Sequence, residues 1–279
     1  MAMSLTDLID LLQRRGHDSV ALFFPQVRFY SVNASDLDAC MDWFAELTMT
    51  VGIDDDDVDD VVVGSLDFVV IRLDTDDPIA VCLDQFSGDH EMLASLFDGN
   101  RLAAHVEEQF ESWLAPGAVL VPNVAFVVEP LRGHRLGAWL LAETIYRMLP
   151  SGTVLAWPYP VGDTDNPAID ALDDAITRLS HHFRLCGLER VESAPWALGM
   201  STAFIHLDNA RTELDEAVRD LSVTIPLDAL HAASTPPLGR VSHMAGPGDA
   251  CAQDDRGAVD DGEFVVAGGQ PAPLFEQRE

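Results

Sequence analysis

The sequence contains no lysine: all 16 basic residues are arginine, set against 47 aspartates and glutamates, for a formal net charge of −31. Without lysine the GxxxxGK[ST] phosphate loop is excluded, because that loop needs an ammonium group on the phosphates. The shortage of positive charge argues against nucleic acid or an anionic membrane as partner, since both are polyanions. Cysteine is scarce as well. Cys40, Cys82, Cys186 and Cys251 lie far apart and form no CxxC, so neither a zinc site nor a disulfide scaffold is indicated. No hydrophobic run reaches the length of a membrane span, and the N-terminus lacks the basic-then-apolar pattern of a signal peptide. Cytoplasm is the default expectation.

What is present fits a soluble globular protein. Its 279 residues, 48% of them hydrophobic, suffice for one large domain or two small ones. An intact apolar core beneath a surface this acidic looks like adaptation to concentrated salt, where counterions screen self-repulsion.

Along the chain, residues 4–15 read as an amphipathic helix, with Ser4 and Asp7 as capping pair, Leu5, Leu8, Ile9 and Leu12 on one face, and Gly16 as terminator. A strand over 23–32 follows, then a second helix over 36–47 with Leu37, Met41, Phe44 and Leu47 inward. The acidic run 54–60 lacks the glycine and distal glutamate of an EF-hand and reads as a solvated loop. Residues 61–73 and 78–84 read as the strands of an antiparallel hairpin. A short helix over 91–97 and an amphipathic helix over 102–114 come next, the latter carrying Leu102, Val106, Phe110 and Trp113.

The chain is organised around residues 123–149. An apolar strand over 124–128 runs into a basic, glycine-punctuated turn, Arg132 to Gly137. A helical pattern then starts, with Leu136, Leu140, Leu141, Thr144, Ile145 and Met148 at helical spacing. Strand, glycine loop and helix N-terminus together make an anion cradle: the first helical amides have no intrahelical partner and carry the positive end of the macrodipole. The loop offers Gly133 and Gly137 only, so GxGxxG is not matched.

Downstream, 153–159 reads as an apolar strand stopped by Pro158 and Pro160. Residues 168–185 read as a helix closed by Gly187, and 196–207 as a final strand. Residues 209–221 suit one more helix. From 232 to 279 the chain is rich in Ala, Gly, Pro and Asp without apolar periodicity, the composition of a disordered tail.

Two stretches carry a family resemblance. Val128-Glu129-Pro130 followed by Arg132-Gly133-His134-Arg135-Leu136-Gly137 resembles the acyl-CoA signature of the N-acyltransferase (GNAT) superfamily, a strand ending near Val-x-Pro and then Arg/Gln-x-x-Gly-x-Gly/Ala opening a helix. Arg135 stands where that family usually has glycine, and the Pro-to-Arg spacing is one residue shorter. Phe183 to Val191 resembles the family's late Tyr-x-x-x-Gly-Phe-x-x-Val pattern, with Phe183 at the tyrosine position. The resemblance covers residues 61–207, and the first 60 by element order alone.

The resemblance implies an α/β fold with a mixed, mostly antiparallel central sheet flanked by helices, the GNAT fold. Beside the acyltransferase domain that it implies over 23–207, pattern and composition give an N-terminal helix over 1–22, a helical extension over 208–231 and a tail over 232–279. The resemblance further implies direct acetyl transfer from acetyl-CoA to an amine, with no metal and no covalent enzyme intermediate. The pyrophosphate would lie on the amides of Gly133, His134, Arg135, Leu136, Gly137 and Ala138, aided by the charges of Arg132 and Arg135. The backbone of Phe126, Val127 and Val128 would hold the pantetheine arm. The family's usual tyrosine acid is absent, since Phe183 cannot donate a proton. Glu129 and His182 are the catalytic candidates, with His181, Cys186, Asp84 and Glu91 as weaker ones. The acceptor, a small-molecule or peptide amine, is not readable, and a homodimer is compatible with the chain. Two alternatives stay open: an acyl-CoA-binding regulatory module without catalysis, and an unrelated α/β protein whose turn imitates the motif.

Overall fold

The computed structural model describes residues 2–32, 37–53, 57–86, 88–110, 117–160, 169–203 and 205–233. Residues 232–233, expected at the start of the tail, belong to the last helix, and the rest of the expected tail lies outside the described residues. Helix α1 (Leu5–Arg15) begins where the sequence places it: Ser4 Oγ accepts the Asp7 amide at 3.1 Å, and Gly16 ends the helix in the left-handed conformation. Strands β1 (Ser19–Ser31), β2 (Cys40–Ile53) and β3 (Asp57–Arg72) then form an antiparallel meander. Helix α2 (Ile79–Phe86), a 3-10 segment (Gly88–Leu96), the two-residue strands β4 (Phe97–Asp98) and β5 (Arg101–Leu102) and helix α3 (Ala104–Gln109) follow. Strand β6 (Ala118–Val127) leads through a 3-10 turn (Glu129–Leu131) into α4 (Leu136–Met148) and β7 (Thr153–Ala156). The described chain closes with α5 (Ile169–Arg184), β8 (Glu189–Val191), β9 (Ala194–Ser201), α6 (Ile205–Arg219), β10 (Ser222–Pro226) and α7 (Leu227–Ala233).

Eight strands form one mixed sheet in the order β10-β1-β2-β3-β6-β7-β9-β8. Every neighbouring pair is antiparallel except β6 and β7, which are parallel and joined through α4. A parallel pair needs such a crossover, and a helix supplies it. The sheet buries both faces. Residues of α1, α4, α6 and α7 share one core cluster with Leu22, Leu47, Leu66, Leu120 and Val154 of the strands. On the other face, Ile79, Cys82 and Leu83 of α2 and Val106 of α3 pack with Ile71, Val119, Val121 and Leu155. The expected α/β architecture with a mixed, mostly antiparallel sheet flanked by helices is therefore present.

Several local expectations are overturned. Residues 40–47, expected in a helix, lie in β2. Leu37, Met41, Phe44 and Leu47 satisfy a helical spacing, but Ala45, Leu47, Met49 and Val51 are all fully buried, so the operative period is two. Among the described residues no helix lies between the first two strands. Residues 79–84, expected as a strand, are helical: Ile79, Cys82 and Leu83 are buried at positions i, i+3 and i+4, and Pro78 stands immediately before the helix. A short apolar run does not distinguish the two states by pattern alone.

Of the acidic run, 57–60 belongs to β3, where the Asp60 carboxylate pairs with Arg28 and accepts from Thr50 Oγ1; 54–56 lies outside the described residues. The helix expected over 102–114 is confined to Ala104–Gln109, with Leu102 in β5 and Trp113 outside the described residues. The last strand stops at Ser201, and Leu207 is a buried residue of α6. Strand β10, unseen in the sequence, adds an outer edge beside β1.

Candidate functional site

Strand β6 keeps its antiparallel ladder with β3 as far as Val127. Its parallel ladder with β7 consists of only two pairs, Val119↔Thr153 and Leu120↔Val154. Beyond them the strands part. Strand β7 ends at Ala156, and the Tyr159 amide turns back to the Trp157 carbonyl at 2.8 Å, so the 158–160 prolines fall where pairing has already stopped. A register shift between Asp67 and Phe68 leaves Asn123 as an extra residue on β6, a bulge that bends the strand at the point of divergence. Past this point Val124, Phe126 and Val127 are half-exposed and Ala125 is exposed, although they sit in the interior of the sheet order. Past Pro122, β6 therefore has β3 on one side and no ladder with β7 on the other, leaving a wedge of strand backbone unpaired on that side.

The cradle residues follow directly on the end of this unpaired segment, after the 3-10 turn. Gly133 (φ 88°) and Arg135 (φ 62°) both take left-handed backbone, and together they fold the loop back so that α4 starts at Leu136. The first bond of the helix joins the Trp139 amide to the Arg135 carbonyl at 2.9 Å. The amides of Leu136, Gly137 and Ala138 precede it and have no place in the intrahelical ladder. Arg135 is the only one of the two that is not glycine, yet it adopts the conformation glycine favours. No side chain caps the helix there, and the Arg135 guanidinium is exposed.

Arg132 behaves differently from its expected role. Its Nε donates to the Val127 carbonyl at 3.0 Å, and its guanidinium lies over the Phe126 ring at 5.9 Å from the centroid. The side chain thus closes the last carbonyl of β6 and is otherwise exposed. His134 is half-exposed in the same loop. In a chain of net charge −31, two arginines within four residues are a local concentration of positive charge. Helix N-terminus, glycine backbone and arginine together suit an anion such as a phosphate.

The structure brings His182 to the same place. A β-carbon built on Gly137 would lie 2.8 Å from His182 Nε2 and 3.5 Å from a Val127 methyl, so the three residues are mutual neighbours. Burial lowers the His182 pKa, with His181 adding to the effect and hydrogen bonding with the Gly137 backbone opposing it. The imidazole is therefore neutral near pH 7, the form that can accept a proton. One turn on, Cys186 Sγ donates to the Ala138 carbonyl at 3.1 Å, fixing α5 against the first turn of α4. Burial pushes that thiol far above its usual range, and Cys186 is fully buried, so its role is structural. Phe183 is also in the core, at 6% exposure.

The remaining candidates do not converge on the wedge. Glu129 is exposed at the start of the 3-10 turn, and His181 is exposed on α5. Asp84 is exposed on α2, in the layer across the sheet from α4. The side chain of Glu91 lies outside the described residues.

Two ties that position α4 escaped the sequence reading. Trp139 Nε1 donates to Asp215 Oδ1 at 2.6 Å, and Glu143, only 2% exposed, holds Arg147 Nε at 2.8 Å and Arg211 Nε on α6. The Glu143–Arg147 spacing of four was the available signal. A separate cleft of about 380 Å³ lies between the end of α5 and α6, lined by Arg184, Gly187, His206, Asn209 and Glu213, and shares no residue with the cradle.

Among the described residues no helix is long and apolar enough to cross a membrane, and no three His, Cys, Asp or Glu side chains are grouped to hold a metal. Comparison with protein-family models, with curated proteins and with solved structures finds no match for this chain.

Proposed function

We propose that this chain is an acyl-CoA-dependent N-acyltransferase of the GNAT type, transferring an acetyl group from acetyl-CoA to an amine. The observation that carries the reading is the parting of β6 and β7 after two residue pairs, with the amide-bearing start of α4 following in the chain. Such a wedge suits an extended pantetheine arm: strand backbone can bond its amides, and the helix N-terminus can take the pyrophosphate. The sheet order supports the same reading, since the parallel pair sits in the interior of an otherwise antiparallel sheet.

In this reading the amides of Gly133, His134, Arg135, Leu136, Gly137 and Ala138 receive the phosphates, with Arg132 and Arg135 supplying charge. Backbone of Phe126 and Val127 orients the thioester; the Val127 carbonyl is shared with Arg132, and Val128 is committed to the fold, its amide donating to the Val63 carbonyl and its carbonyl accepting from the Leu131 amide. The amine attacks the thioester carbonyl, and collapse of the tetrahedral intermediate expels the CoA thiolate. Neutral His182 takes the proton lost by the amine and returns it to the thiolate, a role that matches its lowered pKa. Glu129, exposed, is the weaker candidate.

A second reading is an acyl-CoA-binding module without catalysis, favoured by Phe183, which is buried in the core at the position where the resembled family carries its acid. Calorimetric titration of acetyl-CoA at molar salt, beside CoA and ATP, tests the shared premise. Micromolar binding of both CoA species without ATP binding supports both readings, and CoA release with an amine panel then selects catalysis. Absence of CoA binding removes both.

A further inference from the structure

Cys40 opens β2, and Cys82 lies in the first turn of α2. Both are reduced, and both are buried in the core cluster on the face of the sheet away from α4, at 7% and 0% exposure. Two bonds bring them together. The Asp77 carboxylate accepts from the Ala39 amide at 2.9 Å, tying the residue before Cys40 to the turn that starts α2. The Cys82 amide donates to the Pro78 carbonyl at 3.2 Å, which sets Cys82 one helical turn beyond that clamp. Cys40 acts on Cys82 as a hydrogen-bonding neighbour, opposing the upward push of burial on the Cys82 thiol. Acyl transfer uses neither thiol, and nothing in the sequence spacing suggested the pair.

We propose that Cys40 and Cys82 form a redox modification site that closes to an intramolecular disulfide by exchange with a small-molecule disulfide of the glutathione class. One protein thiol loses its proton and attacks the small disulfide, forming a mixed disulfide and expelling one small thiolate, which takes up that proton. The second protein thiol then attacks the protein sulfur of the mixed disulfide, and the second small thiol leaves with its proton. Both protein sulfurs are oxidised and one small disulfide is reduced to two thiols. Cys40, the more exposed of the two, makes the first attack when α2 opens. The product joins the start of β2 to the helical layer over β3 and β6 and cross-links the unfolded chain over a long loop.

The test uses the full chain. The protein is incubated with oxidised glutathione in enough urea for iodoacetamide to label Cys40 and Cys82 within the incubation. It is then quenched in acid, alkylated under denaturing conditions and mapped by mass spectrometry. The expected result is loss of two alkylatable thiols of the four, a peptide linking Cys40 to Cys82, and a raised unfolding midpoint that dithiothreitol reverses. Under the same conditions Cys82→Ser should retain a glutathione adduct on Cys40, because the resolving thiol is gone. Should that variant fail to fold, the wild-type map decides alone. Stable glutathione adducts on both wild-type cysteines, or two intact thiols after incubation, would overturn the proposal.

Discussion

The imidazole of His182 occupies the space that a side chain at Gly137 would need, with its Nε2 2.8 Å from where the β-carbon would stand. The glycine is therefore required by α5 as well as by any ligand at the cradle. Gly137→Ala forces the ring to move, at a cost of about 1–2 kcal/mol, partly offset by the better helix propensity of alanine. His182→Ala vacates that space. In a double-mutant cycle the two substitutions should couple by about 1 kcal/mol or more, with the double variant more stable than additivity predicts. Urea denaturation measures this, and additive effects would mean that the contact carries no energy.

The lowered pKa of His182 gives stability a pH dependence of definite sign. Below about pH 6.5 the unfolded chain protonates this histidine, while the folded protein resists doing so. The unfolded state then binds more protons, and stability falls as pH drops from about 6.5 towards the folded value. Above that window the loss is absent. Because many carboxylates titrate nearby, the informative quantity is a difference: His182→Asn should lose less stability than wild type between about pH 7 and 5.5. Parallel curves for the two proteins would contradict the shift.

At Arg135 the backbone has φ 62° and ψ 6°, left-handed geometry in a residue with a β-carbon. That conformation costs an ordinary residue about 1–2 kcal/mol. Arg135→Gly relieves it, less the entropy that glycine adds to the unfolded chain, for a net gain of about 0.5–1 kcal/mol. The denaturation midpoint should rise with an unchanged slope. If the arginine contributes charge to a bound phosphate, the same variant should bind acetyl-CoA more weakly and with a shallower salt dependence. If only its amide is used, affinity should hold.

The central unit was legible because strand, loop and helix each have their own signal there. A valine-rich run, Gly133 where the backbone turns left-handed, and an apolar helix all agree. What the sequence hid was partnership. Leu37, Met41, Phe44 and Leu47 fit a helical face, and only the flanking ladders of β1 and β3 decide that 40–53 is a strand. Ile79, Cys82 and Leu83 pose the converse ambiguity, resolved by packing over Ile71 and Val119. His182 was a candidate by its place at a helix end. Its neighbour Gly137 lies 45 positions earlier in the sequence, and no local pattern links the two. Arg132 illustrates a further limit: its type suits a phosphate, but its first bond is to the Val127 carbonyl.

Among the described residues Glu143 is the one buried carboxylate, 2% exposed and shared between Arg147 and Arg211. Glu143→Ala leaves a void and two cations without their partner, one of them at 26% side-chain exposure on α6. The expected loss is about 2–4 kcal/mol, below the full cost of breaking a buried pair because Arg147 remains half in water. Since α6 is tied to α4 here and at Trp139–Asp215, hydrogen exchange in α6 should accelerate more than in α5. Equal acceleration in both helices would mean that the pair does not specifically hold α6.

Salt should act in the opposite sense on the surface. At a net charge of −31 the folded chain repels itself at low ionic strength, where the Debye length reaches about 30 Å at 0.01 M. Molar salt shortens that length to about 3 Å and removes the long-range part of the repulsion, while the Glu143 pair, being buried, is screened far less. If the acidity reflects adaptation to concentrated salt, the unfolding midpoint should climb steeply between 0.01 M and 1 M potassium chloride and flatten above. Potassium sulfate strengthens apolar burial as well as screening, so it serves as the control that separates the two effects. A chloride series that leaves the midpoint unmoved, beside a sulfate series that raises it, would assign the salt response to burial and leave the acidic surface without a stabilising role for salt.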